Sequence, residues 1–352
     1  MPGTVVTIGN FDGVHRGHVT LIERARAHAG VPHAGGRVVA LAFDPHPASV
    51  LRPGTEPARL TTFEQRAALL AEAGADEVRR LEPDRALLSM SPETFLAHVR
   101  DSFRPTWLVE GADFHFGKGR SGHVAELRAI GERLGYGVDV VEPVDAVLGD
   151  HSIVTASSSI ARWLLAHGRV ADAGAVLGRP YEVTGPVVAG DRRGRAIGFP
   201  TVNINAEQIT PGPGVYACEA ALPDGRTLPA AAHVGERPSV GDGEHRVEAH
   251  ILGLPTSFDA SEGAPSASDG PNHTDHTNAQ AHPAHRSRSG LLSEWSPIDG
   301  LSETGWRCGL RFIRRLRDPI PFSSIDRLVD QLARDCARVG EVFESAGKEE
   351  RV

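Results

Sequence analysis

The first half of the chain alternates short apolar runs with segments that have helical spacing. The apolar runs, which are typical of buried strands, lie at 4–8, 38–43, 107–110 and 138–141. The segments whose apolar positions recur at helical spacing lie at 18–29, 62–73, 92–102 and 124–134. Strand–helix alternation of this kind predicts an α/β domain, in which helices cover both faces of a parallel sheet.

The pattern changes after residue 178. Short extended runs, separated by Gly, Pro and Asp turns, lie at 181–188, 215–222, 227–233, 247–252 and 306–315. They predict a compact antiparallel β-barrel, followed by an amphipathic helix at 324–343 with Ser323 or Ser324 as its N-cap. We therefore predict one domain at 1–178 and a second at 179–343.

Residues 256–304 fit neither pattern. The segment is rich in Ser, His, Asp, Gly, Pro and Asn and mostly lacks periodic apolar positions. Such a composition cannot bury enough surface to offset its ordering entropy, so we predict a disordered insertion between two barrel strands. Its histidines could bind a metal, but a solvated linker is the simpler interpretation. They are His273, His276, His282 and His285.

Composition narrows the class of protein. The net charge of −8 argues against nucleic-acid binding, which usually needs a basic surface, whereas a nucleotide needs only local positive groups. The chain shows no basic-then-apolar leader, and no apolar stretch reaches the roughly 18 residues of a membrane span. Cys218, Cys308 and Cys336 lie far apart in sequence and show no CxxC spacing. This pattern indicates reduced thiols more than disulfides or a zinc site. We expect a cytoplasmic protein.

A ten-residue string follows the first predicted strand and opens the first predicted helix. It reads Gly9-Asn10-Phe11-Asp12-Gly13-Val14-His15-Arg16-Gly17-His18. A helix N-terminus offers free N–H groups and the positive end of a dipole to a phosphate, and His15 and His18 add side-chain donors. Gly17 allows a nucleotide to approach the backbone. This layout suits nucleotidyl transfer from ATP with release of pyrophosphate, and the alternative is a surface turn with two incidental histidines.

The string resembles the adenylyltransferase half of bacterial bifunctional riboflavin kinase/FAD synthetases, in the HxGH nucleotidyltransferase superfamily. Three further blocks follow in the family's order, at 43–47, at 110–117 and at 157–162. The resemblance implies a Rossmann-like fold, catalytic roles for His15, His18 and Arg162, and ATP and FMN as substrates. It also implies a set of nucleotide-binding residues, namely Gly9, Asn10, Phe11, Asp12, Gly17, Asp113, Phe114, Gly117, Ser157, Ser158 and Ser159.

Two of these blocks also allow a purely structural interpretation. Hydroxyls at the start of a helix with Arg162 one turn on form a compact anion site, but Ser157–Ser159 taken alone would more often be an N-cap. Asp44 and His46 either belong to the site or only shape the turn between two prolines.

The second half contains a glycine-rich string at 185–203 that resembles the riboflavin kinase domain of the same family. Glycines permit tight curvature around phosphates. Thr201 and Asn203 alternate along an extended segment and face one side, where two neutral oxygens suit Mg²⁺ bound with ATP. The alternative is a barrel turn without a ligand. The nucleotide-binding residues implied here are Gly190, Arg195, Gly198, Phe199, Pro200 and Thr201.

Glu248 lies in a strand at 247–252 that looks like the family's Glu-x-His strand. By that resemblance Glu248 is the general base that takes the proton of the ribityl 5′-hydroxyl of riboflavin. The alternative is an exposed strand glutamate.

The implied activities are therefore riboflavin to FMN and FMN to FAD, each with ATP. The kinase half departs from the family at Pro238-Ser239, at Pro321 and after Leu252, where the insertion replaces an expected turn. Two alternatives follow: an FMN adenylyltransferase with an impaired kinase half, and a non-catalytic flavin- or nucleotide-binding protein.

Overall fold

The computed structural model describes residues 3–30, 35–190, 192–236, 245–254 and 304–349. The strands are β1 (Thr4–Gly9), β2 (Arg37–Phe43), β3 (Glu77–Leu81), β4 (Pro105–Gly111), β5 (Gly137–Val141), β6 (Asp145–Val147), β7 (Ile153–Thr155), β8 (Tyr181–Val188), β9 (Val202–Ile204), β10 (Gly214–Ala221), β11 (Thr227–Glu236), β12 (His245–Ile251) and β13 (Arg307–Arg317). The helices are α1 (Arg16–Ala29), α2 (Ala48–Leu51), α3 (Phe63–Glu72), α4 (Arg85–Leu88), α5 (Pro92–Phe103), α6 (Val124–Leu134), α7 (Ser158–Ala166), α8 (Val170–Leu177), α9 (Arg193–Ala196) and α10 (Ile325–Glu349).

The first five strands form a parallel sheet in the order β3-β2-β1-β4-β5. One apolar cluster, including Ile22 of α1 and Leu70 of α3, covers one face. A second cluster, including Leu96 of α5 and Leu127 of α6, covers the other. The predicted α/β domain is thus confirmed. The strand order reverses between β1 and β4, and in sheets of this type ligands bind beyond the carboxyl ends of the strands at such a point.

Strand β3 was not predicted from the sequence, so the third and fourth predicted strands are in fact β4 and β5. The sequence of β3 is Glu-Val-Arg-Arg-Leu, and none of its residues is fully buried. It lies at the edge of the sheet, where charged residues are tolerated and no continuous apolar run is needed. Helix α8 and the β6–β7 hairpin were also missed.

The second half folds into the predicted antiparallel barrel, which is closed in the order β10-β11-β12-β9-β8-β13. Alternate side chains fill its interior, among them Val183, Tyr216, Val234, Val247, Leu310 and Phe312. Because these strands alternate with a period of two, the intervening polar side chains face outward.

The barrel is followed by α10, which begins one residue after its predicted cap and runs beyond the predicted end at 343. Ser324 confirms the N-cap, since its Oγ accepts from the Arg327 N–H at 3.3 Å. Val339 packs against Val215 and Ala217 on the outer face of the barrel.

The two regions share one apolar cluster, which joins Leu164 of α7 and Val176 of α8 to Tyr181 and Phe312 of the barrel. The Gly212 N–H also donates to the Leu165 carbonyl at 2.8 Å. Residue 178 lies in the short connection between α8 and β8, and the division into domains at that residue stays a prediction.

The predicted insertion at 256–304 lies outside the described residues except for Thr304, and so do its four histidines and Pro238-Ser239. Among the described helices, none combines the length and the apolar character that crossing a membrane requires.

A buried ion pair joins α10 to the barrel. Asp335, which is 1% exposed, accepts from Arg317 Nε at 3.0 Å and from Nη2 at 2.7 Å. We expect Asp335→Ala to lower the free energy of unfolding by about 3 kcal/mol, because it leaves the Arg317 charge buried and unpaired. Urea denaturation followed by circular dichroism measures the change.

Asp318→Ala provides the control. Asp318 pairs with Arg315 but its side chain is 76% exposed, so its loss should cost less than about 1 kcal/mol. Equal effects of the two substitutions would contradict this account of the helix.

Candidate active sites

The turn between β1 and α1 has an unusual backbone. Phe11 (φ 49°), Gly13 (φ 81°) and Val14 (φ 40°) all lie in the left-handed region, which is costly for a β-branched valine. The surrounding structure holds this conformation, since Phe11 and Val14 are buried and the Gly13 N–H donates to Thr61 Oγ1 at 3.0 Å.

Asp12 ties this turn to the rest of the domain. Its buried carboxylate accepts from the Leu60 N–H at 2.9 Å, from the Thr61 N–H at 3.0 Å and from Thr61 Oγ1 at 3.0 Å. Arg162 on α7 donates to the same carboxylate through Nη2, and its Nε donates to the Ala58 carbonyl at 2.6 Å. Asp12 and Arg162, both predicted site residues, are therefore in direct contact.

The structure brings His15 and His18 together, with stacked rings whose centroids lie 3.6 Å apart. His15 is the N-cap residue of α1, and Phe11 contacts the His18 ring edge-on at 5.1 Å. The Nδ1 atoms of both histidines are buried, and neither has a hydrogen-bond partner among the described residues. Buried polar atoms without a partner are uncommon, and a bound ligand or an ordered water is the usual explanation.

The protein keeps both imidazoles neutral. Burial lowers the pKa of His15 to about 4, with Asp113 acting in the opposite direction and Arg179 in the same one. Burial also lowers the pKa of His18 well below its usual value, although part of that residue's surface stays open, and His15, Arg66 and Arg179 act in the same direction. A neutral imidazole has one N–H donor and one acceptor nitrogen, so each ring can donate a single hydrogen bond to a phosphate.

The predicted hydroxyl cluster opens α7 beside the same turn. Ser157 is the N-cap of the helix, with its Oγ accepting from the Ile160 N–H at 3.3 Å. Ser158 Oγ donates to the Asp12 carbonyl at 2.7 Å, and Ser159 is exposed. Their phosphate roles stay predictions, and a ligand would have to compete with the bonds of Ser157 and Ser158.

The loop after β4 faces the turn across the point where the strand order reverses. Asp113 is exposed, and Phe114 stacks on buried Phe116 with ring centroids 5.4 Å apart. Gly117 has a φ of 71°, and a Cβ there would lie 2.7 Å from the Pro92 nitrogen, so the close approach to α5 accounts for this glycine.

Two glycines leave room for the aromatic rings of this site. A Cβ on Gly17 would lie 3.1 Å from Cε1 of His15, and a Cβ on Gly9 would lie 3.3 Å from the Phe11 ring. His46 Nδ1 accepts from the Ala48 N–H at 3.1 Å, and burial and the Arg162 charge lower its pKa. His46 thus shapes its turn and also lies near the site.

Three charged residues of this site were assigned no role from the sequence. Arg66 Nη1 donates to the carbonyls of Asn10 at 2.9 Å and Phe43 at 2.8 Å. Arg179 donates to the carbonyls of Gly13 and Val14. Most of their hydrogen-bond partners are carbonyls far away in sequence, so no motif signals these arginines.

The third charged residue without an assigned role is Glu110 on β4. A carboxylate that ends an otherwise apolar run is the sequence feature that could have identified it. Glu110 is 1% exposed, and its Oε1 accepts from the Ile8 N–H at 2.8 Å, beyond the last paired residues of β1 and β4. Burial raises its pKa well above the usual value, and Asp113 acts in the same direction.

The second site lies on the outer face of the barrel. Asn203 on β9 pairs with Glu248 on β12 and with Val188 on β8. Since Val202 and Val247 point into the core, Asn203 and Glu248 share the outer face, and Thr201 lies on the same side as Asn203. Asn203 Oδ1 is buried and has no partner among the described residues.

A glycine-rich loop folds closely over Asn203. A Cβ on Gly190 would lie 2.0 Å from Asn203 Nδ2, and one on Gly194 would lie 2.3 Å from the Phe199 carbonyl. Gly198 is left-handed, with a φ of 84°. The Pro200 carbonyl accepts from His250 Nδ1 at 2.8 Å, which fixes the end of the loop.

This loop borders a small cleft that opens to solvent. The cleft brings together five of the predicted residues, which are Gly190, Arg195, Pro200, Thr201 and Asn203. Gly198, Phe199 and Glu248 lie outside its lining. The Glu248 carboxylate pairs with Arg246 Nε at 3.1 Å. The unpartnered Asn203 oxygen and the Thr201 hydroxyl are hard oxygen donors, so the residues present fit a magnesium ion.

The raised pKa of Glu110 gives a pH-dependent prediction. A carboxyl whose pKa is raised by folding contributes stability at low pH that is lost as pH rises through the folded-state value. Glu110→Gln mimics the neutral form of the carboxyl and does not lose stability in this way. The free energy of unfolding of the variant minus that of the natural protein should therefore be more positive at about pH 8 than at about pH 5. Glu110→Ala should be destabilised at both by about 1–3 kcal/mol, because the Ile8 N–H loses its acceptor.

Urea denaturation at the two pH values measures these differences. Glu142→Gln, a change at an exposed glutamate just after β5, should alter stability by less than about 0.5 kcal/mol at either pH. A Glu110→Gln variant whose relative stability is the same at both pH values would contradict the burial argument.

The family models for FAD synthetase and riboflavin kinase match residues 1–156 and 177–262. The bifunctional riboflavin kinase/FMN adenylyltransferase of Escherichia coli K12 is 36% identical over 256 residues, which are 71% of this chain and 78% of the relative. The Haemophilus influenzae protein of the same name is 32% identical over 254 residues, covering 72% and 80%.

A crystal structure of a macrolide-efflux protein from Streptococcus pneumoniae superposes with a TM-score of 0.71 at 24% identity, covering 95% of this chain and 92% of that one. At this identity the likeness is one of fold alone. The two family matches in order, together with relatives above 30% identity over most of their length, show that the chain belongs to the bifunctional riboflavin kinase/FMN adenylyltransferase family.

Proposed function

We propose that the chain phosphorylates riboflavin to FMN and then adenylylates FMN to FAD, with ATP as the donor in both reactions. One observation carries the proposal: buried polar atoms without partners among the described residues occur at both predicted sites. They are the Nδ1 atoms of His15 and His18 beside α1 and the Oδ1 atom of Asn203 on the barrel. Buried polar atoms are normally satisfied. Unpartnered ones also occur elsewhere, for example at Tyr136 and Trp306, but these three coincide with residues to which the sequence assigns phosphate or Mg²⁺ binding.

In the adenylyl transfer, a phosphate oxygen of FMN attacks the α-phosphate of ATP and pyrophosphate leaves. No covalent enzyme intermediate is needed, so the protein orients the reactants and stabilises the charge that develops. His15 and His18 donate hydrogen bonds to phosphate oxygens at the positive end of α1. The first turn of α1 contains no acidic residue, which favours an anion there.

In the phosphorylation, the ribityl 5′-hydroxyl of riboflavin attacks the γ-phosphate and ADP leaves. Glu248 accepts the hydroxyl proton, and the glycine-rich loop holds the phosphates. Thr201 and Asn203 would hold Mg²⁺, which would neutralise charge on the phosphates when bound. Residues 1–178, supported by Arg179, carry the first site and 179–343 the second, and the cytoplasm is the proposed compartment.

A second candidate is an FMN adenylyltransferase whose kinase half is impaired. It is favoured by the ion pair of Glu248 with Arg246, since the arginine occupies the carboxylate that the substrate hydroxyl must reach.

One assay separates the candidates. The purified chain is incubated with riboflavin, ATP and Mg²⁺, and the flavins are chromatographed over time. FMN followed by FAD supports the proposed function. FAD from added FMN, with no product from riboflavin, supports the second candidate. No product from either flavin would mean a binding protein without activity.

Substitutions at the two sites should separate the two reactions. We expect His18→Ala to reduce FAD formation by at least about 100-fold, because a donor to the transition state is lost, and to leave FMN formation intact. Glu248→Gln should reduce FMN formation and leave FAD formation from FMN intact. Rates are measured with each flavin separately.

Matched controls exist on the same elements. His28→Ala alters another histidine of α1, which stacks on Trp107, and Glu219→Gln alters a glutamate on the outer face of β10 that pairs with Arg311. Both controls should keep both activities. If His18→Ala or Glu248→Gln removed both activities from a folded protein, the assignment of one reaction to each site would be wrong.

The magnesium assignment makes a separate prediction. Asn203→Ala removes a proposed ligand, so the Mg²⁺ concentration for half-maximal FMN formation should rise by about tenfold. Asn203→Asp keeps an oxygen at the position and should shift that concentration less. Magnesium titrations of the two reactions measure this, and an equal shift for FAD formation would count against the assignment.

A further inference from the structure

One arginine holds the two carbonyls that precede His15. Arg179 Nη2 donates to the Gly13 carbonyl at 2.7 Å, and Nη1 donates to the Val14 carbonyl at 2.9 Å. Nη1 also contacts the Leu177 carbonyl at 3.3 Å. The planar guanidinium thus spans two successive peptide groups, which fixes their orientation in a way that a single donor does not.

These two peptide groups need such support. Gly13 and Val14 both have a positive φ, and the strained conformation of Val14 persists only where its surroundings hold it. His15 follows directly, and its side chain makes no capping hydrogen bond with α1. The direction of the His15 ring therefore depends on the peptide that Arg179 holds.

Arg179 also places a positive charge behind the two imidazoles. Burial is the main cause of the lowered pKa of His15 and of His18, and the Arg179 charge lowers both pKa values further. The other charged or titratable groups that act on the two rings are Asp113 on His15, and His15 and Arg66 on His18. Those that act on Arg179 itself are Glu72, Tyr181 and Glu182.

The position of Arg179 in the chain is informative. It lies between α8 and β8, outside the FAD synthetase match at 1–156 and inside the riboflavin kinase match at 177–262. A residue from the region matched to the kinase thus reaches the turn of the other site, 165 positions earlier in sequence.

We propose that Arg179 is a positioning residue for adenylyl transfer, which holds the Gly13–Val14 turn so that His15 and His18 face the phosphates. This inference rests on the proposed function of that site. Arg179 touches no reacting atom and acts through the two histidines.

Two variants of the full chain separate the geometry from the charge. Arg179→Lys keeps the charge but not the planar fork, and Arg179→Gln loses both. We expect kcat for FAD formation from FMN to fall by up to about 100-fold in both variants, because the histidines are misplaced. FMN formation from riboflavin should keep its natural rate in both variants.

The pH dependence of FAD formation distinguishes this role from a purely structural one, because a purely structural role would leave it unchanged. A nearby positive charge disfavours the imidazolium, so its removal makes protonation of His15 easier and raises its pKa. The acid limb of FAD formation should therefore move to higher pH in Arg179→Gln. It should stay in place in Arg179→Lys.

Arg169→Gln is the matched control. Arg169 precedes α8 and pairs with Asp150 and Asp172, so its loss should leave both rates and the pH profile unchanged. Natural kcat and pH profile in Arg179→Gln would overturn the inference. Parallel loss of both activities would also overturn it, because Arg179 would then support only the fold. If the unsubstituted chain makes no FAD, the proposed function fails first.

Discussion

A buried carboxylate must be surrounded by donors, and the Asp12 carboxylate meets this requirement with groups from two other parts of the chain. The donors are the backbone and hydroxyl of Thr61, the Leu60 N–H and the guanidinium of Arg162. An isolated carboxylate in that position would cost several kcal/mol. The loop before α3 and the start of α7 are therefore fixed relative to the turn after β1, and the proposed nucleotide site depends on this arrangement.

The pairing of buried polar groups around the turn does not include His15 and His18. Arg162 and Arg66 satisfy backbone carbonyls and carboxylates around the turn, so the polar groups of the scaffold are largely paired with one another. The Nδ1 atoms of His15 and His18 are exceptions, and burial keeps both rings neutral. A scaffold that is satisfied without its ligand holds the remaining donors in place before the ligand arrives, which reduces the reorganisation needed for reaction.

Patterns local in sequence were predictable. Continuous apolar runs identified β1, β2, β4 and β5, and the alternation of an extended segment placed Thr201 and Asn203 on one side. The pairing of Asn203 with Glu248 follows from barrel closure, which brings together residues 45 positions apart. Edge strand β3 was missed because it has no apolar run. Arg66 and Arg179 were missed because a bond to a distant carbonyl leaves no trace in the sequence around either partner.

The net charge of −8 coexists with two sites that bind anionic substrates under the proposed function. The negative net charge and the anionic substrates are compatible, because charges separated by more than about 8 Å are screened at physiological salt. Only the charges close to each site then act on a bound phosphate. Arg66, Arg162 and Arg179 surround the first turn, and Arg192, Arg195 and Arg246 lie around the glycine-rich loop. Local arginines therefore set the potential that a phosphate meets, even though the net charge of the chain is negative.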